Sequence, residues 1–133
     1  MKKVLLVYDQ QISAQSHCRS LYYKGIYPLV SNDVQEAYEL ACYNRFDLII
    51  VDFLDDLDKI QETLTKLANV KRSAKIIVTT SAHSLDLSEH LRALGADQVL
   101  LQSSHPREFL DSLSSDLEVC PHTTWVSGEF CWN

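Results

Sequence analysis

The stretch Phe46-Asp47-Leu48-Ile49-Ile50-Val51-Asp52 sets four consecutive apolar residues between two carboxylates, and Ile49, Ile50 and Val51 are β-branched. A strand with one wet face alternates apolar and polar side chains, so an unbroken run predicts a strand over residues 47–51 that is covered on both faces. Working outward, shorter apolar runs predict four more strands at residues 3–7, 27–30, 76–79 and 99–101. Amphipathic segments separate them. A helix over about residues 12–24 meets Gly25, which tolerates the left-handed geometry of a C-terminal cap. Asn32 or Asp33 can cap a second helix that carries Ala37, Leu40, Ala41 and Cys42, with Glu36 placed to suit the helix dipole. Ile60, Leu64 and Leu67 mark a third, and Leu87, Leu91 and Leu94 a fourth that stops at Gly95. Pro106 opens a fifth, with Leu110, Leu113 and Leu117 on its buried stripe.

The order is therefore βαβαβαβαβα. Strands joined by crossover helices lie parallel, and right-handed crossovers let helices cover both faces of the sheet. The expected fold class is α/β, a doubly wound five-stranded parallel sheet in three α/β/α layers.

At 133 residues the chain suits one domain, and 46% hydrophobic with 23% charged residues excludes disordered and fibrous classes. A net charge of −6 with scattered Lys and Arg argues against direct nucleic-acid binding. No apolar run approaches the roughly 18 residues of a membrane span. Lys2 and Lys3 precede only residues 4–7 before Tyr8 and Asp9, unlike an export signal, so a cytoplasmic location is expected. Cys18, Cys42, Cys120 and Cys131 form no close pair and are expected as separate thiols. Neither G-x-G-x-x-G nor the P-loop pattern occurs, and no Ser/Thr/Gly-rich first loop could cradle a flavin phosphate. His17, His83, His90, His105 and His122 follow no nucleophile–His–acid order and are expected in surface or local hydrogen-bond roles. Cys120, His122 and Cys131 lack zinc spacing.

What remains is a convergence. Asp9 follows the first strand, Asp52 the third, Thr80 and Ser81 the fourth and Gln102 the fifth, and a parallel sheet brings these positions to one edge. Two carboxylates can hold a hard cation, and an aspartate can attack a phosphoryl group.

Those residues resemble the response-regulator receiver family over residues 2–117. The resemblance is carried by Val4-Leu5-Leu6-Val7-Tyr8-Asp9, Phe46-Asp47-Leu48-Ile49-Ile50-Val51-Asp52, Ile76-Ile77-Val78-Thr79-Thr80-Ser81, Leu94-Gly95-Ala96-Asp97 and Leu101-Gln102-Ser103-Ser104. It implies a CheY-like, flavodoxin-like domain over residues 1–118 with strand order 2-1-3-4-5, followed by an extension at residues 119–133. Asp52 takes the phosphoacceptor position, Asp9 and Asp52 the Mg2+ site, and Thr80 the hydroxyl that senses phosphoryl oxygens.

Three positions depart from the pattern. Tyr8 stands where the first of two adjacent acidic residues is usual, Gln102 replaces a lysine, and Val99 replaces an aromatic. A missing carboxylate weakens a Mg2+ site, and a neutral amide cannot offset phosphoryl charge as an ammonium does. Asp55, Asp56 and Asp58 could compensate or could repel phosphate. Tyr8 could cover the pocket, bond to Asp52 or simply pack. The expectation is an atypical receiver or pseudo-receiver: a signal-transduction protein-interaction module, not an efficient phosphotransfer enzyme, with no required cofactor. The alternative is a Mg2+-dependent phosphoacceptor in a two-component phosphorelay, phosphorylated at Asp52.

By the same resemblance, output would run through about residues 87–117. Leu91, Leu94, Leu113 and Leu117 are expected in the core, and Arg92, Arg107 and Glu108 are candidates for an interface rim or simply solvated surface charges. Trp125, Phe130 and Trp132 give the extension apolar area that could dock on the same chain or at a homodimer interface. The expected partner is a protein, either a histidine kinase or a regulatory protein.

Overall fold

In the computed structural model, which describes residues 3–9, 11–53, 56–80 and 85–101, the apolar run at the centre of the sequence becomes the central strand. The elements are β1 (Val4–Tyr8), α1 (Gln11–Tyr23), β2 (Leu29–Ser31), α2 (Val34–Tyr43), β3 (Leu48–Asp52), α3 (Leu57–Leu67), β4 (Lys75–Thr80), α4 (Leu85–Ala93) and β5 (Gln98–Leu101). The five strands are parallel in the order β2-β1-β3-β4-β5, as the receiver-like α/β/α expectation requires. The chain reverses direction across the sheet between β1 and β3, which makes their C-terminal ends the natural place for a site. The expected fifth helix and the extension at residues 119–133 lie outside the described residues.

Alternation along β1, β3 and β4 feeds two separate cores. Leu5, Val7, Ile49, Val51, Ile76 and Val78 join Ala37 and Ala41 of α2, Ile60, Leu64 and Leu67 of α3, and Leu91 of α4. Leu94 is partly buried against this cluster. Val4, Leu6, Leu48, Ile50 and Ile77 point the other way and pack with Ala14 and Leu21 of α1. Every residue of β3 is buried, which accounts for its lack of alternating polarity.

The helix ends follow the expected chemistry. Asp33 caps α2 by accepting from the Glu36 amide at 3.2 Å. After α1, Gly25 takes φ +80°, with Gly25 N donating to Tyr22 O and Ile26 N to Leu21 O. After α4, Gly95 takes φ +123°, with Gly95 N donating to Arg92 O and Ala96 N to Leu91 O. These paired bonds satisfy carbonyls that the helix leaves open. The Leu94-Gly95-Ala96-Asp97 stretch thus turns α4 back to the sheet, where the Asp97 carboxylate accepts from Ile76 N at 2.8 Å and Asp97 N donates to Ile76 O at 2.8 Å.

Two substitutions separate packing from backbone geometry. Leu64→Ala removes a fully buried side chain and is expected to cost about 2–5 kcal/mol in denaturant unfolding. Gly95→Ala meets nothing within 4 Å, so its expected loss of about 1–2 kcal/mol comes from the backbone conformation alone.

Candidate functional site

The decisive local feature is that β1 and β3 run one residue further than their apolar runs suggest. Tyr8 and Asp52 are the last residues of β1 and β3, in register with each other, and Asp52 is in register with Thr79 of β4. Parallel pairing continues through these polar side chains because the backbone ladder does not depend on side-chain polarity. Asp52 is therefore a strand residue and obeys strand alternation. Leu48 and Ile50 face α1, so Asp52, two residues on, faces α1 as well. Thr79 shares that face with Ile77, whereas Thr80 follows Ile76 and Val78 to the opposite one.

On the α1 side the carboxylate meets two partners. The Thr79 hydroxyl donates to Asp52 Oδ1 at 2.9 Å, with Val51 O a more distant acceptor at 3.5 Å. His17 Nε2 lies 3.1 Å from Asp52 Oδ2, an ion-pair approach rather than a well-aligned hydrogen bond. Asp52 is 0% exposed, Thr79 2% and His17 7%. A buried carboxylate is costly unless charge or hydrogen bonds compensate it, and Thr79 and His17 stand where that compensation is needed.

His17 was expected in a surface or local hydrogen-bond role, and the structure buries it beside Asp52. Its helical spacing carried the signal. Ala14, His17, Cys18 and Leu21 recur at intervals of three and four, which puts His17 on the inward stripe of α1. His90 does make a local contact, 3.0 Å from Gln61 Nε2 between α4 and α3.

Asp9 takes a different direction. Its backbone N–H donates to Asp52 O at 3.2 Å, while its carboxylate lies 3.4 Å from Lys59 Nζ. Lys59 also sits 5.3 Å above the centre of the Phe53 ring. Both charged side chains are more than a third exposed, so this pair orients Asp9 more than it stabilises the fold. Asp56 is committed as the N-cap of α3, accepting from Lys59 N at 3.1 Å, and Asp58 follows in the first turn. Among the described residues, no group of three or more His, Cys, Asp or Glu side chains is gathered as a metal site.

Tyr8 lines an open groove of about 490 Å3 with Ala14, Gln15, Cys18, Arg19, Tyr22 and Val30. Burial pushes the Cys18 thiol pKa up, with its Tyr22 hydrogen bond opposing that shift, so the thiol is held in its less reactive protonated form. Arg92 is exposed at the end of α4. Asp55, Ser81, Gln102, Arg107, Glu108, Trp125 and Trp132 lie outside the described residues.

No protein-family model matches the chain, and no curated protein matches it. Solved structures do. A CheY-like response-regulator receiver domain protein from Methanospirillum hungatei JF-1 superposes with a TM-score of 0.76 at 23% identity, covering 89% of this chain and 94% of that one. An orphan response regulator of H. pylori gives 0.74 at 16% identity, over 87% of this chain and 96% of that one. An atypical orphan response regulator, whose structure is described as revealing a phosphorylation-independent regulatory mechanism, gives 0.73 at 16% identity, over 87% and 95%. The strand order, the two-sided core and these superpositions together establish that the chain has the fold of CheY-like receiver domains.

Proposed function

We propose that this chain is an atypical receiver acting as a signal-transduction interaction module, without efficient phosphoryl transfer. The observation that carries the proposal is the placement of Asp52, wholly buried on the α1 face between Thr79 and His17.

Aspartyl phosphorylation requires a carboxylate oxygen to approach phosphorus in line with the leaving group, while positive charge balances the equatorial oxygens. Here Oδ1 accepts from Thr79 and Oδ2 faces His17. A divalent cation needs several oxygen ligands at one point. Asp9 instead leans toward Lys59, Asp56 caps a helix, and Tyr8 supplies no carboxylate. This donor set does not suit Mg2+, so no step is assigned to a metal. Thr80, on the opposite face from Asp52, is poorly placed to read a phosphoryl group there. A receiver fold is compatible with phosphorylation-independent signalling, as the description of the atypical orphan regulator says of that protein.

A module of this kind works by presenting a surface. The exposed Arg92 at the end of α4 belongs to the face on which a protein partner would dock, either a histidine kinase, a regulatory protein or a second copy of the chain. No helix among the described residues is long and apolar enough to cross a membrane.

Intact mass spectrometry with a small-molecule phosphodonor, with and without Mg2+, tests the proposal. The mass of the wild-type chain is expected to stay unchanged under conditions that phosphorylate a competent receiver. A Mg2+-dependent phosphoryl adduct that disappears in D52N would overturn the proposal and make the chain a phosphoacceptor.

A further inference from the structure

We infer that His17 is a positioning residue, a latch that keeps the Asp52 carboxylate turned into the protein and away from the sheet edge. The inference rests on the assignment of Asp52 as silent toward phosphodonors, and it names the contact that makes it so.

Asp52 ends its strand, and Phe53 has already left the ladder. A side chain at that point is less confined than one in mid-strand, because no following strand residue packs beside it. Rotation about its side-chain bonds can direct the carboxylate either inward along the α1 face or outward over the C-terminal edge. Water favours the outward course. The inward course needs a specific compensating contact.

Thr79 is an insufficient anchor. Its hydroxyl has one proton to donate, and Val51 O stands 3.5 Å away as a second acceptor, so the hydroxyl keeps an acceptor if the carboxylate leaves. His17 differs in charge and in reach. It brings an ionisable ring nitrogen to 3.1 Å from Oδ2 on a helix face otherwise made of Ala14, Cys18 and Leu21. The ring nitrogen attracts the carboxylate oxygen that it faces at that distance. Burial of both raises the strength of that attraction. The latch thus joins α1 to the end of β3, and its release is the movement that would return Asp52 to the edge.

Carboxyl labelling of the native full-length chain with a carbodiimide and a small amine reads this directly, with peptide mass spectrometry locating each adduct. Exposed Asp9 and Asp58 serve as internal positives. In the wild type Asp52 is expected to be protected. His17→Leu keeps an apolar stripe but removes the ionisable partner, and labelling at Asp52 is expected to rise by at least about tenfold because an unpaired buried carboxylate is strongly disfavoured. His17→Gln, which retains a polar donor, should restore most of the protection. Equal melting temperatures would establish that labelling reports the carboxylate and not unfolding. Protection of Asp52 in a folded His17→Leu variant, or labelling of Asp52 in the wild type, would overturn the latch.

A second measurement does not depend on folding of either His17 variant. The His17 ring nitrogen resonances are expected to shift between wild type and D52N, and unchanged resonances would also overturn the contact. A phosphoryl adduct on the wild type would defeat the functional proposal, whereas continued protection in His17→Leu defeats only the latch.

Discussion

A carboxylate that ends a strand buried on both faces has to point into one of two cores or out over the sheet edge. Alternation along β3 sends Ile49 and Val51 toward α2 and α3, and Leu48 and Ile50 toward α1. Because β3 continues in register with β1 and β4 through Asp52, that residue inherits the α1 direction. The remainder of the site follows from this constraint. Thr79 becomes the hydroxyl partner by sharing the same parity, Thr80 is sent to the opposite side, and the inward stripe of α1 brings His17 to the carboxylate as the third group.

The same geometry separates this site from an open acidic pocket. Asp9 and Asp52 are neighbours along the backbone ladder, yet their side chains diverge, one toward Lys59 and α3, the other toward His17 and α1. An anion or a hydrated cation arriving at the edge would meet a charge pair that is already neutralised and a carboxylate that is already enclosed. Enclosure of a charge is expensive, and it persists in folds only where partners surround it. The pairing of Asp52 with Thr79 and His17 is therefore the reason for proposing recognition in place of group transfer.

Much of the fold is legible in the sequence. The run through Leu48 and Val51 demanded a two-sided strand, Gly25 and Gly95 marked helix ends that do adopt positive φ, and Asp33 announced its cap. Polar side chains hid the strand ends. The first and third strands were expected to stop at Val7 and Val51, whereas backbone pairing carries on through Tyr8 and Asp52. Placing Asp52 in a loop left its direction undecided, and drew attention to Thr80 where parity selects Thr79. His17 was missed for a related reason. Catalytic order among histidines does not bear on one whose importance lies in its helical phase, set by Ala14 and Leu21. Lys59 was equally silent in the sequence, because it contacts Asp9 from fifty residues away.

The central claim is that the Asp52 carboxylate is enclosed on the α1 face and not offered at the sheet edge. Titration with Mg2+ while following the side-chain carboxyl carbon of Asp52 by NMR tests it most directly. That resonance is expected to stay fixed as exposed carboxylates such as Asp58 respond weakly. A saturable shift centred on Asp52 and Asp9 would contradict it, since it would mean that both carboxylates turn outward to share a cation.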